Sequence, residues 1–317
     1  MAIEGVLKRV LVPVTLALTT LAVPSAPFGA RADTGERDVP AIPESPSVEP
    51  PILRPVQRVS QDIAGEPTRA HFGSADLYVP TFFHPVAGTY DLVVHFHGIS
   101  SVQERNFEQA GVNAVIVSIN KGVSSDAYAA AFSAPGSFDA LLATTQRVLE
   151  RTQRVSSARL GRVALSAWSA GFAAVGAILR QPGNADRIDA ILLADGPHVN
   201  YLSKGEVNDR ALEKWARFAR AAMRSEKLFA LTHSSIPTVG YASTTETVGE
   251  LLRLTSLDKE PAEPIGPRGM HPIYESSRGD CHVEGFEGRT ARDHVDQIKA
   301  MGETLLPYLR DFWSRGA

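Results

Sequence analysis

Beyond residue 58 the chain alternates two hydrophobic rhythms. Short, nearly unbroken apolar runs occur at 75–79, 91–96, 113–119, 162–165, 190–194, 228–231 and 273–275. Several consist almost wholly of Val, Ile, Leu and Ala, the composition expected of strands buried on both faces. Between them, apolar residues recur at helical spacing over about 137–153, 171–181, 208–225, 244–256 and 290–314. In the last stretch His294, Ile298, Met301, Leu305, Leu309 and Phe312 fall on one stripe. Strands that alternate with helices predict an α/β domain, a mostly parallel central sheet flanked by helices on both faces.

Two other patterns precede this domain. Lys8 and Arg9 lead an uncharged run from Val10 to Val23, and Ala30-Arg31-Ala32 supplies a small-x-small cleavage pattern. Together they predict a secretory signal peptide over 1–32. Pro13 and Pro24 interrupt the run, which is shorter than the roughly 20 residues a bilayer requires, so no lasting membrane insertion is expected. Residues 33–57 hold Pro40, Pro43, Pro46, Pro50, Pro51 and Pro55 among acidic residues and serines, without apolar periodicity. Such a segment cannot bury enough surface to offset the entropy of ordering, and it reads as a flexible spacer before a catalytic domain at 58–317. The expected destination is secreted or periplasmic.

Composition narrows the function classes. A chain of 317 residues, 44% hydrophobic and 21% charged, can build one continuous core. The formal charge is -3, and loss of 1–32 removes a net two positive charges to leave -5. That balance argues against nucleic acid as a partner. Cys281, the single cysteine, can form no internal disulfide and reads as a buried, inert thiol. No cofactor is called for, and nothing in the sequence sets the oligomeric state.

The chemistry is expected at the carboxyl ends of the strands, where open α/β sheets gather their reacting groups. The run 162–165 breaks into Ser166-Ala167-Trp168-Ser169-Ala170-Gly171 and then a small-residue helix start. A serine at so sharp a turn needs small residues two before and two after it, and Ala167 and Gly171 supply them. His95-Phe96-His97-Gly98-Ile99 ends an earlier strand. His95 and His97, at i and i+2, suit a metal-dependent hydrolase with Asp195 as the alternative chemistry, although local spacing offers no third ligand. Asp195 directly follows the run 190–194, where a carboxylate can orient a catalytic base. His282 lies in a glycine-bearing loop between the short run 273–275 and the last helical stretch. His294 falls within that helical pattern and reads as a packed or N-terminal helix residue.

The turn at Ser169 resembles the nucleophile elbow of α/β-hydrolases, with Ala167 where that family usually has glycine. The resemblance covers about residues 70–315 and implies an exported serine esterase or lipase-like hydrolase of small-molecule or polymer esters. It implies Ser169 as nucleophile, and an oxyanion hole from the amides of Ile99 and Ala170. It also implies His282 as base, in the loop before the last helix, and Asp195 as acid, because the run 228–231 ends without a carboxylate. Glu246 and Asp280 are the reserve acids. His97, Gly98, Trp168 and His198 would line the pocket, and His233, Tyr128, Phe132 and Tyr201 are further candidates for its walls. Only about 33 residues separate Asp195 from the next strand, too few for a large lid domain. A non-catalytic binding protein on the same fold is the other alternative.

Overall fold

The computed structural model describes residues 56–59, 66–152, 155, 157–203 and 205–315. The expected signal peptide at 1–32 and all but the last two residues of the expected spacer lie outside them. In chain order the elements are β1 (Val56–Val59), β2 (Thr68–Phe72), β3 (Ala75–Val79), β4 (Thr89–Phe96), α1 (Ser100–Ala110) and β5 (Val115–Ile119). Next come α2 (Ser125–Ala131), α3 (Ser137–Leu149), β6 (Arg159–Trp168), α4 (Phe172–Leu179), α5 (Asn184–Arg187) and β7 (Ala190–Ala194). The remainder is β8 (Tyr201–Ser203), β9 (Glu206–Val207), α6 (Asp209–Met223), β10 (Leu228–Ser234), α7 (Thr244–Thr255), β11 (Pro272–Arg278), β12 (Cys281–Phe286), α8 (Ala291–Lys299) and α9 (Leu305–Ser314).

Ten strands form one sheet in the order β1-β2-β3-β5-β4-β6-β7-β10-β12-β11. The six from β5 to β12 run parallel, β1 to β3 add an antiparallel edge, and β11 turns back against β12 at the other. The two faces differ in side-chain size. Leu165, Ile191, Leu193, Phe229 and Leu231 point into the larger core beneath α2, α3, α4, α6 and α7. Ala164, Ala190, Ala194 and Ala230 point the other way, and these small residues let α1, α8 and α9 approach with Phe107, Ile298, Leu305 and Leu309. Strands β5, β7 and β10 are buried throughout, which is why their sequences read as runs rather than alternations.

The predicted α/β architecture is found, and three of the local departures from it bear on the site or its frame. Helix α1 goes unseen in the sequence because its buried positions include Gln103 and Asn106 beside Phe107 and Ala110, so no apolar stripe shows. The helical stretch 290–314 is two helices. The chain breaks near Gly302, where a Cβ would stand 2.9 Å from the Asn106 carbonyl oxygen, and Pro307 sits in the first turn of α9, which needs no amide donor there. The third departure bears on function, since Cys281–Phe286 is a strand. Its burial alternates over Cys281, His282, Val283 and Glu284, and it pairs in parallel with β10. Among the described residues no helix is long and apolar enough to cross a membrane.

Candidate active site

Register brings the important strand ends to one level of the sheet. Trp168 of β6 lies opposite Ala194 of β7, so the following residues, Ser169 and Asp195, leave adjacent strands side by side. Both have left-handed backbone, with φ 47° at Ser169 and 48° at Asp195. A non-glycine residue held there costs about 1–3 kcal/mol and persists only where its surroundings enforce it. At Ser169 the constraint is a tight crossing. A Cβ on Gly171 would meet the Phe96 carbonyl oxygen at 2.1 Å, so no other residue lets α4 start against β4.

Asp195 is 2% exposed, and its two oxygens are shared among four donors. Oδ1 accepts from the Ser234 amide at 2.9 Å and the Thr244 hydroxyl at 3.1 Å. Oδ2 accepts from the Ser234 hydroxyl at 2.7 Å and from His294 Nδ1 at 2.6 Å. Burial opposes ionisation of this carboxyl, but the hydrogen bond and charge of His294, with the Ser234 donors, outweigh it and hold the pKa below the ordinary value. Neither reserve acid meets an imidazole in this way. Glu246 closes the capping box of α7 with Ser243 and accepts from Tyr201, and Asp280 pairs with Arg315.

The imidazole on Asp195 therefore differs from the one the sequence suggested. His282 sits in β12 opposite Ala230, which in turn faces Leu192, three residues short of Asp195 along β7. That places it about 10 Å back along the strand direction and about 10 Å across two strand spacings. Its ring stacks on Tyr308 at 4.0 Å between centroids, and burial lowers its pKa. The segment taken for a loop is the last parallel strand, so the loop that matters comes after it. Thr290 and Asp293 form a capping box that starts α8 there, and His294 enters one residue later. That box and the alternation over 281–286 are the signals in the sequence that could have exposed His294.

Trp168 ties this helix to the serine turn. Its indole N–H donates to the His294 carbonyl at 3.0 Å, and its ring lies 4.7 Å from the His294 ring and 4.8 Å from that of His97, nearly parallel to the latter. His95 is buried and neutral, its pKa pushed down to about 3 by burial. Its Nε2 donates to the His97 carbonyl at 2.7 Å, so its Nδ1 must accept from the Ser166 hydroxyl at 2.9 Å. Both ring nitrogens are thus engaged in shaping the loop. Left-handed backbone at His97 also removes the shared face the spacing suggested, and its Nδ1 meets the Tyr128 hydroxyl at 2.9 Å. Among the described residues no group of three or more His, Cys, Asp or Glu is arranged to hold a metal.

Gly98, at φ 101°, packs under Ile298 and Trp168. The amides of Gly98 and Ile99 donate to no described backbone carbonyl, while Ile99 stands exposed at the start of α1. Beside Ser169 opens a cleft of ≈ 600 Å³ lined by Ala170, Phe172, His198 and Tyr241 among others. His233 lies outside it, buried with Nε2 2.6 Å from the Tyr274 hydroxyl. Phe132 is likewise interior, edge-on to Phe96, and Cys281 is buried with its thiol pKa pushed up to about 12.

The mostly parallel sheet with helices on both faces, and Ser169 and Asp195 at adjacent strand ends, are the arrangement that the resemblance to α/β-hydrolases implied. No protein-family model and no curated protein matches the chain. It is similar to a feruloyl esterase module from Clostridium thermocellum, with 10% identity over 82% of this chain and 92% of that one, at TM-score 0.43. A glucuronoyl esterase from Solibacter usitatus shows 14% identity over 82% and 87% of the two chains, at TM-score 0.38. An uncharacterised protein from Capnocytophaga ochracea shows 11% identity at TM-score 0.39, over 77% of this chain and 62% of its own length.

Proposed function

We propose that the chain is an exported serine hydrolase of carboxylic esters, with Ser169 as nucleophile, His294 as general base and Asp195 as the orienting acid. The observation that carries this reading is the 2.6 Å contact between His294 Nδ1 and a buried carboxylate one strand from a strained serine turn. With Nδ1–H donated to Asp195, Nε2 of the neutral ring bears the lone pair and can accept the Ser169 proton. The serine oxygen then bonds to the ester carbonyl carbon. The amides of Ala170 and Ile99 hold the negative oxygen, and the N-terminus of α4 favours that charge. Collapse breaks the bond to the alcohol oxygen, which takes the proton from His294. Water, deprotonated by the same nitrogen, releases the acid and restores Ser169. Export is proposed from the leading segment, with a secreted or periplasmic site of action.

A fluorophosphonate probe tests the reading. The purified protein should be labelled at Ser169 and should hydrolyse p-nitrophenyl esters, with both properties lost in Ser169→Ala. A purified protein that neither takes the probe nor cleaves the esters, with Ser169→Ala behaving the same, would instead make the chain a non-catalytic binding protein of this fold.

A further inference from the structure

The cleft beside Ser169 carries two positive charges that ester hydrolysis does not require. Lys214 of α6 and Arg180, which ends α4, both line it. They lie close together, since a Cβ built on Gly176 would be 3.2 Å from Lys214 Cε and 3.8 Å from an Arg180 guanidinium nitrogen. Among the described residues neither cation has a carboxylate within 4.0 Å. Lys214 Nζ donates to the Ala211 carbonyl at 2.6 Å and stands 5.4 Å over the Trp215 ring. Asp126 lines the same cleft and forms an ion pair with neither. In a second cleft Arg268 and Arg292 both pair with Asp296, while Arg289 there has no ion pair among the described residues.

Like charges held this close cost free energy, here at a half-buried Lys214 beside an exposed Arg180, and an anion between them offsets that cost. Lys214 shows the strain, as burial and the Arg180 charge lower its pKa to about 8. Gly176 provides the room, for a methyl group there would press on the Lys214 stem and on Trp215 at 3.3 Å. Gly176 is seven residues along the helix from Ser169, a rise of about 10 Å. Phe172, Ala173 and Ala129 give the cleft an apolar strip within a lining that also holds Asp126, Asn200 and Asn208.

We propose that this cleft selects esters bearing a carboxylate, with Ser169 at the scissile carbonyl, Lys214 and Arg180 on the carboxylate about 10 Å away, and an apolar spacer between. This rests on the ester-hydrolase reading above and adds the substrate class to it.

Two matched pairs test it: monomethyl against dimethyl suberate, with the charge on the acyl side, and 6-acetoxyhexanoate against its methyl ester, with the charge on the alcohol side. At least one pair should favour the anionic member by about tenfold or more in kcat/KM, the scale of one charge-assisted contact. The preference should shrink in about 0.5 M salt, where charges are screened within a few ångströms. It should fall to near unity in Lys214→Met combined with Arg180→Gln, and persist in Lys214→Arg. Neutral esters turned over equally well in both pairs would overturn the subsite and leave the hydrolase reading intact, as would a preference that survives the double variant. If no ester is cleaved, the hydrolase reading fails, and calorimetry decides the subsite alone. Tighter binding of monomethyl than dimethyl suberate to the unaltered protein supports it, and equal binding overturns it.

Discussion

His282 and His294 are twelve residues apart in the chain and occupy opposite kinds of surroundings at one sheet. His282 lies within β12, below the level where the strands end, its ring face covered by Tyr308. His294 lies beyond the end of the same strand, with Nδ1 on a buried carboxylate and its side chain still 28% exposed. A general base needs one nitrogen fixed by a partner and the other open to substrate, and only the second setting offers both. Both histidines follow apolar runs and stand near glycines. The difference lies in which end of a parallel strand each belongs to, and that decides whether an imidazole packs within the sheet or meets Asp195.

The largest expected effect separates the two directly. His294→Ala should lower kcat/KM for a p-nitrophenyl ester by roughly 10⁴-fold, whereas His282→Ala should change it by less than about twofold. Steady-state rates on the two purified variants check this, and a reversal of the two would return the base to β12. Asp195→Asn should lose roughly 10³–10⁴-fold, because the amide cannot stabilise the imidazolium.

The same comparison extends to stability against pH. The Asp195 carboxyl has its folded pKa below the ordinary aspartate value, so the unfolded chain takes up its proton first as pH falls. Its contribution is therefore present in full above about pH 4 to 5 and is lost as pH drops through the folded value. Urea unfolding should show a gap between the native protein and Asp195→Asn that is widest near neutrality and narrows below pH 4. A gap constant down to the lowest accessible pH would mean that the carboxylate is not held as described. Smaller effects on stability follow at Tyr308 and at the serine turn. Tyr308→Leu should cost about 2–3 kcal/mol by removing both the stack on His282 and the hydroxyl that donates to the Glu284 carboxylate, with kcat unchanged. Ser169→Gly should abolish activity yet raise stability by about 1 kcal/mol as the left-handed strain is relieved, seen as a melting point about 2–4 °C higher.

Much of this site was legible before any coordinates. The turn at Ser169 declared itself through local sterics, since the small residues at Ala167 and Gly171 are demanded by neighbours only a few residues away. Asp195 was legible because it immediately ends an unmistakable buried strand. His294 was not, because its role depends on Cys281–Phe286 being a strand. That segment holds His282, Glu284 and Gly285 among its six residues, so it looks like a loop until β10 lies beside it. Helix α1 was hidden for a similar reason, as Asn106 and Gln103 are buried by partners from α8 and the turn after it, nearly two hundred residues along the chain.

By itself, the sequence determined the alternation of strands and helices, the strained serine turn and the acid after β7, all of which follow from periodicity and short-range crowding. Tertiary structure alone decided which histidine meets Asp195 and which charges share the cleft with Ser169. Those choices depend on strand register and on where a chain returns after a long excursion, and no local pattern of residues encodes either.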